Sequence, residues 1–282
     1  MSSIFTAPVY KLDELNNIFI EMTAKNCNYR CKNCHIDFGV NNSINAFHKT
    51  IKDFISIDKI KEMLDDTKNE NLHCVYLTGA EPMTHPDFNS ILRLCLKRTN
   101  VCICTNGSFL NEKKIRFLKK VEEESSNEIF FKLSLTHYDE LENDKAKYRG
   151  NYRQTIFALK TLSRYNFMSI LAVQNVYNIS KETLVERFSK IFSEQEIYNT
   201  DIQVLSSHPD FSDENFIKPS NKTDCMYGRV LTHNGVYSCP FLSNDYRGRV
   251  GASFKSFSDS ISAETEFCAT CSKNDDFMFT IG

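Results

Sequence analysis

The sequence has no excess of charge of one sign and no long apolar run, and these absences remove several classes of protein. Its 282 residues carry 34 Lys and Arg against 36 Asp and Glu, a formal net charge of -2, so no overall field draws it to nucleic acid or acidic lipid. No apolar run is long enough to span a bilayer, and residues 1–10 lack the basic segment and apolar core of a signal peptide. We therefore expect a cytoplasmic protein that has no membrane or nucleic-acid partner.

Cysteine, in contrast, is abundant. Eleven cysteines in a chain without an export signal cannot all pair, and in a reducing compartment clustered thiols bind metals more often than they form disulfides. Scattered cysteines are usually buried as small hydrophobic residues, and on that ground we assign Cys74, Cys95, Cys102 and Cys104 to the core. The other seven fall into two groups.

Hydrophobic periodicity predicts alternating strands and helices through the first 206 residues. Six short runs rich in Ile, Val, Phe and Leu are typical of buried parallel strands, at 17–22, 74–78, 101–104, 129–135, 168–174 and 201–205. Amphipathic helices are predicted between them, at 57–67, 88–96, 111–123, 152–165 and 180–192. Six such units predict an α/β fold and suit a partial (βα)6 barrel with its site at the C-terminal ends of the strands. An open doubly wound sheet would give the same pattern.

The pattern changes after about Ser206. Pro209, Pro219 and the polar residues around them mark a connector, and the rest of the chain is short, polar and rich in cysteine. We therefore predict two domains, 1–206 and 207–282.

Three cysteines follow the first predicted strand: Cys27, Cys31 and Cys34, spaced by three and then two residues. A loop this short can wrap three thiolates around one four-iron cluster and leave one iron without a protein ligand, much as catalytic zinc sites keep an open position. The spacing alone leaves open a partial zinc site with His35 as fourth ligand, or three incidental cysteines.

This loop resembles the hallmark of the radical S-adenosylmethionine (SAM) superfamily, a cysteine triad with the same spacing after the first barrel strand. The resemblance implies a [4Fe-4S] cluster whose open iron is chelated by SAM. It also implies an electron donor such as flavodoxin or ferredoxin, and cleavage of SAM to methionine and a 5′-deoxyadenosyl radical that abstracts a substrate hydrogen. One position departs from the family, because the residue before the third cysteine is usually aromatic and here is Asn33.

Residues at the ends of later strands extend the resemblance. The segment Gly79-Ala80-Glu81-Pro82 resembles the family's Gly-Gly-Glu-Pro, in which Glu81 would accept a hydrogen bond from the SAM ammonium group. On the same resemblance, Ser134 and Arg149 would serve the SAM carboxylate and Asn175 would meet the ligand. Taken singly, each residue also suits a turn or a solvated surface position.

Four cysteines near the C-terminus form the second group: Cys225, Cys239, Cys268 and Cys271. Between the first two, His233-Asn234-Gly235 predicts a β-hairpin, because Asn-Gly is a favoured two-residue turn. Four thiolates suit zinc or a fully ligated four-iron cluster. The pattern resembles the twitch domain, the short form of the SPASM extension of radical SAM enzymes, and that resemblance implies a second, auxiliary [4Fe-4S] cluster.

The resemblance leaves the reaction open. The main expectation is a radical SAM enzyme that oxidises, epimerises or rearranges a small polar molecule, with the auxiliary cluster assisting electron transfer. The alternative is an enzyme that crosslinks or epimerises a residue of a ribosomal peptide, although the short stretch before the first strand predicts no leader-binding domain. A non-catalytic zinc or iron–sulfur protein is the remaining alternative, and it leaves the strand-end motifs unexplained. The sequence selects no catalytic acid or base.

Overall fold

The computed structural model describes residues 17–32, 34, 54–206, 223–224, 229–243, 248–257 and 262–263. Strands and helices alternate through most of this range: β1 Asn17–Thr23, α1 Ile57–Asp66, β2 Cys74–Gly79, α2 Phe88–Leu96, β3 Asn100–Thr105, α3 Glu112–Glu123, β4 Ile129–Leu135, α4 Glu140–Ala146, α5 Asn151–Arg164, β5 Met168–Asn175, α6 Lys181–Gln195 and β6 Thr200–Ser206. The six strands pair in chain order and all are parallel. The predicted α/β class and parallel order are confirmed, and α4 is an addition to the prediction.

Side-chain caps begin three of the predicted helices. The Ser56 hydroxyl accepts from the Lys59 amide before α1, Asn111 accepts from the Lys114 amide before α3, and Ser180 accepts from the Thr183 amide before α6. Each bond satisfies one of the amide groups that a helix N-terminus leaves without an intrahelical acceptor. Local sequence therefore determines where these helices start.

The helices cover one face of the sheet, which we call the outer face, and the opposite side is the inner face. On β1, Ile18, Ile20 and Met22 join a large apolar core with residues of the helices. The alternate residues of the strands face inward, where a second cluster contains Phe19, Cys74, Cys102, Cys104, Phe130, Val230 and Tyr237. Because both faces are buried, the strands are continuous apolar runs, and the four cysteines assigned to the core are all buried.

Later residues extend the same sheet. The further strands are β7 Thr223–Asp224, β8 Val230–Thr232, β9 Gly235–Tyr237, β10 Arg249–Ser253, β11 Ser256–Phe257 and β12 Ser262–Ala263. Strand β8 runs parallel to β1, with Phe19 opposite Val230, and β9, β10 and β11 follow outward in a ten-stranded sheet. Strands β7 and β12 form a small separate pair. The division into two domains remains a prediction.

The predicted hairpin is present, but its turn differs by one residue. Thr232 pairs with Gly235, so the predicted arms 229–232 and 235–238 are confirmed, the two-residue loop is His233–Asn234, and Gly235 begins the second strand instead of standing in the turn. Gly235 has a φ of +140°, and a Cβ there would lie 2.5 Å from the Gly251 carbonyl oxygen. The glycine therefore serves the close approach of β10, not the turn itself.

No helix in the part of the chain that the structure describes is long and apolar enough to cross a bilayer.

Candidate cofactor site at the ends of the parallel strands

The loop that carries the three cysteines leaves β1 and lies against the end of β2. The Ala80 amide donates to the Thr23 carbonyl at 2.9 Å, and the Glu81 amide donates to the Asn26 carbonyl at 3.1 Å. Gly79 has a φ of +116°, and a Cβ there would lie 2.4 Å from the Thr23 carbonyl oxygen. Only glycine permits this approach, so the Gly79–Pro82 segment directly supports the start of the cysteine loop.

Glu81 is fully buried and joins the ends of β2 and β3. Its Oε1 accepts from the Thr105 hydroxyl at 2.8 Å and from the Met83 amide at 3.1 Å. Its Oε2 accepts from the Asn106 amide at 2.9 Å. Burial raises the pKa of the Glu81 carboxyl to about 7, although these hydrogen bonds lower it. The predicted contact of Glu81 with SAM stays a prediction, and the structure adds a role in holding the strand ends together.

The turn after β3 reaches the first cysteine. Asn106 Nδ2 lies 3.6 Å from Cys27 Sγ and donates to Asn28 Oδ1 at 3.0 Å. The Tyr29 amide also donates to Cys27 Sγ, at 3.3 Å. Glu81, Asn106 and Cys27 are therefore linked by consecutive polar contacts from the core to the cysteine loop.

A second set of contacts holds the middle of the loop. The Tyr29 ring stacks on Tyr148 with centroids 4.7 Å apart and an interplanar angle of 12°, an arrangement that adds to the burial of the ring. The Lys32 amide donates to the Ala146 carbonyl at 3.0 Å. Burial raises the pKa of Tyr29 to about 12, while a hydrogen bond with Asn151 lowers it. The connection between α4 and α5 thus fixes the loop from the side opposite β2 and β3.

That connection also places a lysine beside the cysteines. Lys147 Nζ donates to Ser134 Oγ at 2.5 Å. Burial lowers the pKa of Lys147, while the charges of the triad, Cys31 first, then Cys34 and Cys27, raise it. All three thiols therefore lie within electrostatic range of this ammonium group.

Arg149, the residue that the sequence predicted for binding the SAM carboxylate, is exposed. Lys147 lies two residues earlier in the same basic segment, so sequence signals alone gave no reason to prefer it. The difference in burial between Lys147 and Arg149 comes from the turn that follows them. Gly150 adopts a φ of +85°, and its amide donates to Asp144 Oδ2 at 2.5 Å. The buried Asn143 accepts from the Thr136 amide at 2.9 Å and so ties α4 to the end of β4.

The side chain of Asn175 forms its hydrogen bonds within its own loop. Its Oδ1 accepts from the Ile179 amide at 2.9 Å, and its Nδ2 donates to the Ile179 carbonyl at 2.6 Å. These bonds close the turn between β5 and α6, so the predicted contact of Asn175 with a ligand stays a prediction.

The three cysteines of the loop are unpaired; Cys27 and Cys31 are partly exposed and Cys34 is exposed. Within the described ranges, no group of three His, Cys, Asp or Glu side chains is arranged around one point as the ligands of a single metal ion are. In a four-iron cube each thiolate binds a different iron, so the sulfurs lie farther apart than around one zinc ion. Three thiols of one short loop with a cation beside them suit a four-iron cluster that has one open iron.

The second cysteine group falls largely outside the described residues. Cys239 is partly buried and packs against the inner-face cluster, whereas Cys225, Cys268 and Cys271 lie outside the described residues. Asn33 and His35 do as well. The predicted auxiliary site is therefore untested.

Comparisons with known proteins agree with this geometry. The AlbA protein of Bacillus subtilis strain 168, an antilisterial bacteriocin subtilosin biosynthesis protein, is 25% identical over 174 residues, which are 61% of this chain and 34% of AlbA. The structure of Streptococcus suis SuiB bound to S-adenosylmethionine aligns with a TM-score of 0.63 at 13% identity, over 86% of this chain and 64% of SuiB. SuiB bound to the precursor peptide SuiA aligns with a TM-score of 0.62. The chain thus spans about a third of AlbA and less than two thirds of SuiB, and the structural likeness shows the fold.

The family model described as the radical SAM superfamily matches residues 23–188. This range contains the cysteine triad and both Ser134 and Lys147, and it is more than half of the sequence. This chain therefore belongs to the radical SAM superfamily.

Proposed function

We propose that this radical SAM protein modifies a peptide. The observation that carries the proposal is that the sequence comparison and the structural comparison lead to the same kind of protein. AlbA is named for the biosynthesis of a bacteriocin, and SuiB has been solved with its precursor peptide. These relatives favour the peptide-modifying alternative over the small polar molecule that was the main expectation from sequence.

In this proposal, Cys27, Cys31 and Cys34 hold the [4Fe-4S] cluster in a partial (βα)6 barrel. The cluster and SAM, when bound, supply the radical that removes a hydrogen from the substrate. The residues of the chain hold and orient these groups. Glu81 keeps Asn106 against Cys27 Sγ, and the backbone of Gly79 and Ala80 borders the site.

Ser134 and Lys147 form the proposed site for the SAM carboxylate. The ammonium of Lys147 is already bonded to the Ser134 hydroxyl and lies within electrostatic range of the triad. A carboxylate placed there would accept charge-assisted hydrogen bonds, which are stronger than those between neutral groups. Arg149 is exposed, and its contact with the SAM carboxylate stays a prediction.

We further propose a twitch-like domain at 207–282, with an auxiliary [4Fe-4S] cluster on Cys225, Cys239, Cys268 and Cys271. Four thiolates complete the coordination of such a cluster, which leaves electron transfer as its role. An external donor such as flavodoxin or ferredoxin, in the cytoplasm, would reduce the first cluster.

The test is anaerobic reconstitution with iron and sulfide, followed by incubation with SAM and dithionite. The wild-type chain should form 5′-deoxyadenosine, and simultaneous replacement of Cys27, Cys31 and Cys34 by Ala should abolish it, because the cluster loses every protein ligand. Continued formation of 5′-deoxyadenosine by this variant would contradict the assignment of the site. Short peptides encoded beside the gene are then tested for a SAM-dependent mass change. Modification of a small metabolite, with every peptide unchanged, would contradict the peptide proposal.

A further inference from the structure

The loop that carries the cysteine triad and the connection between α4 and α5 lie side by side. The Tyr29 ring stacks on Tyr148 with centroids 4.7 Å apart, and the Lys32 amide donates to the Ala146 carbonyl at 3.0 Å. Residues that neighbour these contacts in the sequence therefore share one part of the protein surface.

Three of the residues on this part of the surface are basic and exposed: Arg30 and Lys32 on the loop, and Arg149 on the connection. We call these three residues the basic rim. No acidic residue occurs at positions 24–34 or 147–153 of the sequence. The basic rim is therefore a patch of positive charge on a chain whose formal net charge is -2.

The acidic residues of α4, which precedes the connection, already have partners. Glu140 Oε1 lies 2.7 Å from Arg153 Nε, and Glu142 Oε1 lies 2.5 Å from Lys145 Nζ. Asp144 accepts hydrogen bonds from two backbone amides at the start of α5. These carboxylates are therefore held within their own segment and do not pair with the basic rim.

The members of the basic rim differ in how they are held. Arg30 Nη1 donates to the Cys27 carbonyl at 2.5 Å and to the Tyr29 carbonyl at 2.8 Å, so its guanidinium group is fixed at the surface of the loop. In the part of the chain that the structure describes, Lys32 and Arg149 form no ion pair. Their charges are available to a partner that approaches from the solvent.

The basic rim borders the place proposed for the first cluster. Cys27 and Cys31 are partly exposed and Cys34 is exposed, so the proposed ligands lie at the same surface. Arg30 and Lys32 directly flank Cys31 in the sequence. Because electron transfer slows steeply with distance, a donor that docks on the basic rim has a short path to a cluster held by these thiolates.

The charge of the basic rim defines the kind of partner that it fits. Opposite charges on two proteins speed their encounter and orient them, and like charges keep other proteins away. Complexes that transfer electrons have small and weak interfaces, so a few charged side chains are enough to align them. A donor that docks here therefore needs an acidic face around its electron-carrying group.

We propose that the basic rim is the docking surface for the electron donor of the first cluster, a one-electron carrier protein whose contact face is acidic. The carrier loses one electron and the oxidised cluster gains it, while no bond forms or breaks and no proton moves. The proposal rests on the proposed function in one respect only, the reduction of the first cluster by an external donor. It adds where that donor binds and which residues admit it.

The test measures docking without SAM, so that a contact between Arg149 and that cofactor cannot affect the result. The reconstituted full-length chain is titrated calorimetrically with oxidised flavodoxin, an acidic carrier, at about 0.01 M and about 1 M salt, where charges act over about 30 Å and about 3 Å. Replacing Lys32 and Arg149 together by Glu should weaken binding about tenfold at the lower salt concentration and less than about twofold at the higher one.

A matched control locates the effect. Lys120→Glu makes the same change of charge at an exposed position in the last turn of α3. That turn lies at the opposite edge of the sheet from the cysteine triad. Lys120→Glu should therefore leave the affinity for flavodoxin within about twofold of that of the wild-type chain.

Two further measurements keep the proposal testable where a variant folds poorly. Carbodiimide joins an amine to a carboxylate in contact with it, and mass spectrometry of the wild-type complex should find flavodoxin joined to Lys32 and not to Lys120. The second measurement is the rate of cluster reduction by reduced flavodoxin, divided by the rate with reduced methyl viologen, a small cation. The double Glu variant should lower this ratio about tenfold.

Unchanged affinity for flavodoxin in the double variant would overturn the proposal, and so would a cross-link at Lys120 in place of Lys32. If a peptide of ten glutamates binds the basic rim and flavodoxin does not, the surface receives an acidic peptide, which also overturns it. Formation of 5′-deoxyadenosine with dithionite, by a chain that does not bind flavodoxin, would refute this inference alone. Absence of 5′-deoxyadenosine from the wild-type chain would refute the proposed function instead.

Discussion

The two faces of the parallel sheet are buried to a similar degree but with different chemistry. On β4, Phe131 and Leu133 point to the helices and are fully buried in apolar surroundings, while the intervening Lys132 points to the inner face. The outer face therefore gains stability from every residue that it buries. The inner face buries the ionisable side chains of Glu21 and Lys132 and the unpaired hydroxyl of Thr78, one level below Ser134. The outer face therefore holds the fold by apolar packing, and the inner face carries polar side chains towards the strand ends where the candidate cofactor site lies.

The largest expected effect on stability comes from the outer face. Phe131 packs edge-on against Phe167 with centroids 5.0 Å apart. Phe131→Ala should lower the free energy of unfolding by about 3–5 kcal/mol, because it leaves a cavity in a closely packed core. Urea denaturation of the metal-free chain measures this. A loss below about 1 kcal/mol would mean that the outer face is less tightly packed than it looks.

The cofactor site predicts a contrast between two basic residues of one turn. Lys147→Met should weaken SAM binding about tenfold or more, since it removes a charge-assisted contact, whereas the exposed Arg149→Met should change it less than about twofold. Equilibrium dialysis of reconstituted protein measures SAM affinity, with iron content as the control. A larger effect of Arg149→Met than of Lys147→Met would assign the binding of the SAM carboxylate to Arg149, as the sequence predicted.

Glu81 predicts a pH dependence of stability. Burial raises its pKa to about 7 from an ordinary 4.5, so the folded chain binds a proton more tightly than the unfolded chain. The contribution of Glu81 to stability is therefore complete below the ordinary pKa and is lost as pH rises through about 7. Between about pH 5 and pH 8, the free energy of unfolding of the wild-type chain should fall by up to about 3 kcal/mol more than that of Glu81→Gln. Denaturant titrations of both metal-free proteins test this, and parallel pH profiles would contradict it.

The smallest predicted effects compare two threonines. Thr78→Val removes an unpaired buried hydroxyl and should leave stability unchanged or raise it by about 1 kcal/mol, whereas Thr99→Val removes a bond to Leu72 and should lower it by about 1 kcal/mol. Thermal unfolding of the two variants, measured side by side with the wild-type chain, gives the sign of each change in stability. If Thr78→Val is the more destabilising of the two, the Thr78 hydroxyl has a partner within the chain.

Strands β1 to β5 were predictable because they are buried on both faces and therefore stand out as continuous apolar runs. Helix α4 was not, because Glu140–Ala146 is short and almost wholly polar, so it shows no apolar periodicity. Strand β10, Arg249–Ser253, was missed for a related reason. Its few polar and small residues become a strand by pairing with β9, and such long-range pairing leaves no local signal.

The sequence by itself determined the spacing of Cys27, Cys31 and Cys34, the order of strands and helices, and the caps that begin three helices. These depend on residues close together in the chain, where local geometry and apolar periodicity are sufficient. Only the tertiary structure decided that Lys147, not Arg149, bonds Ser134, and that Glu21 and Lys132 share a level of the inner face. Both outcomes depend on the register between strands distant in sequence and on the direction of a turn, and a shift of one residue in either would reverse them.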